Sequence, residues 1–160
     1  MPTMGVGASA VLEFASDPYR LFDRARPEGA VTVVTSRGIP EQVFADIGRV
    51  SSLEENWDTH GAPRVSPAAR RRATELVVSL YRAAVAHEIR MPDPRVFVSS
   101  DGMIGLFWSN AEKGADLEVL VGENELEAAG SESGEAYSAT IDADDPLDIL
   151  ALIHKHITPA

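Results

Sequence analysis

The sequence contains no cysteine, and this absence removes several kinds of chemistry at once. Disulfide bonds, thiol nucleophiles and cysteine-ligated zinc all need this residue. A chain without cysteine also suits a reducing cytoplasm, which is where we expect the protein to reside. Apolar runs are short, and none approaches the roughly 20 residues that span a bilayer, so no membrane association is expected. The first residues lack a basic start before an apolar stretch, so we expect no secretion signal.

Motifs that bind cofactors or metals are missing as well. The chain has no GxGxxG or GxxxxGK[ST] phosphate loop, no GxSxG elbow and no HExxH pair. His154 and His156 would point about 200° apart on a helix, so they would not share a ligand. We interpret them as surface histidines near the C-terminus. The sequence therefore predicts neither a cofactor nor a metal site, and it offers no catalytic residue.

Basic residues are scarce in the second part of the chain. Residues 1–90 hold 11 Lys and Arg against 11 Asp and Glu, whereas residues 91–160 hold 3 against 14, so the whole net charge of −11 lies there. A negative field repels nucleic-acid phosphates and favours basic partners. This argues against direct nucleic-acid binding and for another protein, a basic one, as the partner. An acidic surface that only maintains solubility is the alternative.

A length of 160 residues with 44% hydrophobic content suits one globular domain. We divide the chain into an N-terminal extension, residues 1–40, that is partly ordered, and a single α+β domain, residues 41–160. Within the extension, Asp17 and Pro18 form a helix start, and residues 30–35 have the composition of a strand. If ordered, this run would add a strand to the main sheet.

Apolar residues at helical spacing predict three helices after residue 40. The first covers residues 41–55, with the stripe Val43, Ile47, Val50 and Leu53. Ser66 and Pro67 form a cap and first-turn pair that begins a second helix, which fades near His87. Asp145 and Pro146 repeat this arrangement before a last helix, whose apolar side is formed by Ile149, Leu150, Ile153 and Ile157.

From Arg95 the apolar period changes to two, and five short strands with tight turns follow. We place one of these turns at residues 131–134. The pattern predicts helices packed on one face of a mostly antiparallel β-meander. Leu106, Trp108, Leu117, Val119, Tyr137 and Ile141 of the sheet should meet Ile47, Val50, Leu76, Leu80 and Ile153 of the helices. The other face should meet water and carries Asp116, Glu118, Glu125, Glu127, Ser138 and Thr140.

The segment LEENWDTHGAPRVSPAARRRA, residues 53–73, is the most distinctive part of the sequence. Its Asn-Trp-Asp, Gly-Ala-Pro and Ser-Pro elements before an Ala/Leu-rich helix resemble a group of small uncharacterised bacterial proteins. In that group an ENWDGYGA segment precedes a helix, a Pro-rich link and an acidic β-meander, and a turn like Ser100-Asp101-Gly102 follows the link. The resemblance covers about residues 53–141 and departs at Thr59 and His60, where the group has Gly-Tyr. It implies this architecture and no activity.

Two interpretations of the loop at residues 56–61 compete. A catalytic one pairs Asp58 with His60 for acid–base chemistry, but no nucleophile or oxyanion donor accompanies them. In the structural one, Trp57 fills the corner between two helices, and polar side chains bond to nearby backbone N–H groups. We favour a structural corner made of Asn56, Trp57, Asp58, Gly61 and Pro63.

Arg64, Arg70, Arg71 and Arg72 lie near a predicted helix N-terminus, where the helix dipole disfavours cations. Carboxylates from the acidic part of the same chain, or from another copy, would relieve this conflict. A bound phosphate or carboxylate, held by Arg64, Arg70 and Arg71, would do so as well. We rank ion pairing first, the bound anion second and nucleic acid third.

These observations favour a non-catalytic protein-interaction or accessory module, of the inhibitor or antitoxin type. Its partner face would consist of Asp116, Glu118, Glu125 and Glu127. The alternative is a small-anion-binding or enzymatic domain at the 56–61 loop and the helix start at Arg70, Arg71 and Arg72. A third hypothesis is mimicry of nucleic acid by the acidic face. An exposed edge strand would also allow a homodimer.

Overall fold

A computed structural model describes residues 40–140 and 145–159, and this part of the chain consists of three helices and one five-stranded sheet. The predicted α+β class is thereby confirmed. The helices are α1 (Glu41–Ser51), α2 (Pro67–Ala86) and α3 (Pro146–Leu152), which continues as a π-helical segment, Ile153–Ile157. The strands are β1 (Arg95–Val98), β2 (Ile104–Asn110), β3 (Ala115–Val121), β4 (Leu126–Glu132) and β5 (Glu135–Thr140). The expectations for the N-terminal extension and for Ile141 lie outside the described residues.

The sheet is the predicted meander. Its strands follow the order β1-β2-β3-β4-β5, and every neighbouring pair is antiparallel. Leu106 lies opposite Val96 on one side and Val119 on the other. Residues that are paired across strands point to the same face, so the alternating apolar residues form one continuous apolar surface.

Side-chain caps begin two of the helices, as predicted. Ser66 Oγ accepts a hydrogen bond from the Ala69 N–H at 3.1 Å, and Pro67 occupies the first turn, where its missing N–H costs nothing. Asp145 Oδ1 accepts in the same way from the Leu147 N–H at 2.9 Å, ahead of Pro146.

Three boundaries differ from the prediction because of contacts that the local pattern does not contain. Helix α1 ends at Ser51 rather than at residue 55, because the chain turns away there, and the Asn56 N–H bonds to the Ala62 carbonyl at 2.7 Å. The β4–β5 turn consists of Ser133 and Gly134 alone, and residues 131 and 132 belong to β4. The last helix widens into a π-helix over Ile153–Ile157.

All three helices contribute to one hydrophobic core on the apolar face of the sheet. The residues predicted to meet there are buried in it: Ile47, Val50, Leu76, Leu80, Leu106, Trp108, Leu117, Val119 and Ile153. Tyr137 packs against the edge of this core. Trp108 also has its polar atom satisfied, since its Nε1–H donates to the Pro92 carbonyl at 2.9 Å.

We call the opposite side of the sheet the outer face. The strand register places on it Arg95, Phe97, Gly105, Phe107, Ser109, Asp116, Glu118, Leu120, Glu127, Ala129, Ser131, Ala136 and Ser138. Phe97 is only 2% exposed and lies against Gly105, where any side chain would overlap its ring. The expectation that this whole face meets water was therefore wrong for its β1–β2 end, although Glu127 is exposed and Glu118 half-buried.

Candidate functional site

The corner loop, residues 53–65 between α1 and α2, is closed by its own polar side chains. Asn56 Oδ1 accepts a hydrogen bond from the Gly61 N–H at 2.6 Å. Asp58 Oδ1 accepts two more, from the His60 N–H at 2.8 Å and from the Ala62 N–H at 3.0 Å. Both side chains thus satisfy backbone donors that the turn would otherwise leave unpaired.

Trp57 connects this loop to the core. Its ring is half-buried and packs against the core residues, and its Nε1–H donates to the Pro63 carbonyl at 3.3 Å. Gly61 has a φ of 89°, a conformation that suits glycine. These contacts support the structural interpretation of Asn56, Trp57, Asp58, Gly61 and Pro63.

The β1–β2 turn lies directly on the corner loop. A Cβ atom at Gly102 would stand 3.2 Å from the Arg64 carbonyl oxygen and 3.3 Å from that of Pro63, so the backbones approach closely only because this residue is glycine. The two segments that carry the resemblance stated above, Gly-Ala-Pro and Ser-Asp-Gly, are therefore in contact. The corner loop and the β1–β2 turn therefore pack together.

Asp58 and His60 do not form the acid–base pair that the catalytic interpretation requires. His60 Nδ1 lies 2.7 Å from the Asp58 backbone oxygen, and the Asp58 carboxylate bonds to backbone N–H groups instead. The hydrogen bond from the Ala62 N–H is the main reason that the pKa of Asp58 lies below its ordinary value. A carboxylate stabilised in its ionised form is poorly suited to exchange protons near neutral pH.

The four arginines near the start of α2 have different surroundings. Arg64 Nη2 lies 3.3 Å from Glu54 Oε1 in an exposed pair, which adds little stability. Arg72 Nη1 donates to the backbone carbonyls of Gly122 at 2.8 Å and Glu125 at 3.3 Å, which ties α2 to the β3–β4 turn. Arg70 and Arg71 are exposed, and the guanidinium of Arg70 lies beside Gly48 of α1.

Internal contacts of the first-ranked kind are thus present, but with unexpected partners. Glu54 belongs to the part of the chain with zero net charge, and Arg72 bonds to carbonyl groups rather than to carboxylates.

The four acids of the predicted partner face occupy different environments. Glu118 lies between Phe107 and Ala129 in the register of the outer face, and Glu127 lies beside Leu120. Asp116 is also on the outer face, but its carboxylate accepts from the Ser131 N–H at 3.1 Å and from Ser131 Oγ at 3.2 Å. Glu125 is exposed and lies in the β3–β4 turn, just before β4 begins.

A cluster at the C-terminal end was missed by sequence reasoning. His156 is not a surface histidine: its side chain is 13% exposed, Nδ1 lies 2.7 Å from Glu132 Oε1, and its ring stacks on Tyr137 at 4.1 Å. The Tyr137 hydroxyl donates to the Asp116 carbonyl at 3.0 Å. Burial, together with the charges of Asp116 and Glu132, raises the pKa of Tyr137 far above its ordinary value.

The contacts of this cluster are of the kind that attach a chain terminus to the rest of the fold. Nearby, Asn110 Nδ2 donates to the Ile157 carbonyl at 2.8 Å and Lys113 Nζ donates to the Lys155 carbonyl at 3.3 Å. Both bonds hold the π-helical segment against the β2–β3 hairpin. No local pattern predicts this cluster, because Glu132 and His156 are 24 positions apart.

Within residues 40–140 and 145–159, no three His, Asp or Glu side chains are grouped so that they could hold a metal ion. Over the same residues, no helix combines the length and the apolar character that crossing a bilayer demands. No protein-family model matches the chain, and neither a curated protein nor a solved structure matches it.

Proposed function

We propose that the protein is a non-catalytic interaction module, an accessory protein of the inhibitor or antitoxin type, whose outer face binds a basic protein. One observation carries this proposal: the helices cover one face of the sheet, while the other face carries the half-buried Glu118 and the exposed Glu127 next to apolar side chains. Glu118 lies opposite the half-buried Phe107, and Glu127 lies opposite the half-buried Leu120. Apolar contacts bordered by charged groups are typical of protein interfaces.

The charge around this face selects the class of partner. Residues 91–160 contain only three basic residues, Arg95, Lys113 and Lys155, against 14 acids. A basic protein would approach with few like-charge contacts, and the attraction would raise its association rate at low salt. Exposed ion pairs are screened by salt, so the affinity should fall as ionic strength rises.

The anion-binding or enzymatic alternative has less support. Arg64 and Arg72 already have internal contacts, and the Asp58 carboxylate serves the corner loop. A thermal-shift screen with phosphates, nucleotides and carboxylates tests this alternative directly. If a ligand stabilises the wild type but not Arg71→Ala, the anion-binding alternative would explain the protein better than the interaction module.

The proposal is tested by charge reversal on the outer face. The variant Glu118→Lys/Glu127→Lys is compared with Glu75→Lys/Glu112→Lys, which reverses two exposed acids on α2 and in the β2–β3 turn. Partners are captured from the native host with each purified protein and quantified at low and high salt. We expect a basic protein to be captured by the wild type and by the control variant, to be lost with the outer-face variant, and to be released by salt. Equal capture by both variants, or capture that ignores salt, would contradict the proposal.

A further inference from the structure

The backbone of β5 has one side that no described strand pairs with. Its other side is hydrogen-bonded to β4 in the register Ser131 with Ala136 and Ala129 with Ser138. The turn residues Ser133 and Gly134 have φ values of 53° and 85°, as in the two-residue turns of tight hairpins. In such a hairpin the pair that closes the turn is hydrogen-bonded and the pairs then alternate. The N–H and C=O groups of Ala136 and Ser138 therefore point away from β4.

This side of β5 is also accessible. Ala136 and Ser138 are exposed, and no residue within 40–140 or 145–159 bonds to their outward backbone groups. The strand Glu135–Thr140 contains neither proline nor lysine, two residues that commonly protect an edge strand from pairing. An edge with these properties can accept an additional strand through its main-chain groups.

We propose that the β5 edge takes an extended basic segment of the partner by strand addition. This inference rests on the proposed function and names the way in which the partner is recognised. Charge selects the occupant: Glu135 begins the strand, and residues 91–160, to which β5 belongs, hold 14 acids against 3 basic residues. A second copy of this chain carries the same excess of acids in residues 91–160, so the two copies would repel one another. A lysine- or arginine-rich strand would instead be attracted by these acids.

The test removes a single outward N–H from the full-length chain. Ser138→Pro deletes this donor, and proline is tolerated where the N–H of an edge strand faces solvent, whereas Ser138→Ala removes the side chain but keeps the donor. The probe is a synthetic peptide of alternating lysine and valine, with a glutamate–valine peptide as its control. We expect the lysine peptide to protect the amides of Ala136 and Ser138 from hydrogen exchange. Its affinity should fall about tenfold in Ser138→Pro and stay unchanged in Ser138→Ala.

Every other outcome overturns the inference. Equal affinity for both variants, equal binding of the glutamate peptide, or protection mapped to another strand would each do so. Protection of the two amides in the free protein would show that another segment or a second copy occupies the edge. If Ser138→Pro does not fold, Ala136→Pro removes the neighbouring outward N–H. If that variant fails as well, the exchange map of the wild type alone decides.

Failure of this inference can be distinguished from failure of the proposed function. If Glu118→Lys/Glu127→Lys loses the host partner while Ser138→Pro keeps it, binding by the outer face is supported and strand addition at the β5 edge is overturned. If Ser138→Pro loses the partner and the charge reversal does not, the edge stands and the outer face is overturned.

Discussion

Thr59 adopts a backbone conformation that its side chain disfavours, and replacing it with glycine should stabilise the protein. Its φ of 62° lies in the left-handed region. That region is sterically costly for side chains branched at Cβ, whereas glycine enters it freely. Thr59→Gly therefore tests whether the corner loop has the conformation described here.

The expected gain is the difference between opposing terms. Removing the side chain while the backbone keeps its left-handed conformation relieves about 1–2 kcal/mol. The greater freedom of glycine in the unfolded chain costs about 0.5–1 kcal/mol. The variant also loses the hydrogen bond from Thr59 Oγ1 to the Asp58 carbonyl, which is exposed and of small net value. The net stabilisation should lie between about 0 and 1.5 kcal/mol, equivalent to a rise in Tm of up to roughly 6 °C for a chain of this length.

The same loop supplies a matched control with the opposite sign. Gly61 has a φ of 89°, and an added Cβ would meet no atom within 4 Å, so Gly61→Ala measures the backbone cost alone. We expect it to destabilise the protein by about 1 kcal/mol. Urea unfolding with an unchanged m-value measures both differences. A Thr59→Gly that destabilises the protein as much as Gly61→Ala would refute the conformation assigned to Thr59.

Two further substitutions probe the two ends of the sheet. Gly105→Ala should destabilise the protein by about 1–3 kcal/mol, because the new methyl group would overlap the Phe97 ring. Thermal unfolding measures this loss. A Tm equal to that of the wild type would show that Phe97 lies elsewhere. Tyr137→Phe keeps the stack on His156 but loses the hydrogen bond to the Asp116 carbonyl, at a cost of about 1 kcal/mol. The raised pKa of Tyr137 means that the unfolded chain loses the phenol proton first, so wild-type stability should fall as pH rises above about 10, the pKa of an unperturbed tyrosine. Unfolding curves of Tyr137→Phe should lack this contribution, and an identical alkaline loss in both proteins would contradict the assignment.

The elements were predictable wherever the physics is local. The Ser66-Pro67 and Asp145-Pro146 starts are recognisable because the capping oxygen and the bonded N–H lie two or three residues apart. The period of two after Arg95 predicted five strands because burial on one face of a sheet imposes that alternation. It also placed Glu118 and Glu127 opposite the core. The role of Asn56 and Asp58 in bonding nearby N–H groups was predictable for the same reason.

Other features depend on residues that only the folded chain brings together. Arg72 reaches a turn 50 positions away, and His156 reaches Glu132 across 24. Phe97 lies on the outer face against Gly105, its partner on the neighbouring strand, eight positions later in the sequence. Composition and periodicity thus determined the layers of this protein, because they record how often a residue must face the core. Tertiary structure alone decided which polar groups became partners, since hydrogen bonds and ring contacts need distances of a few ångströms that sequence spacing does not specify.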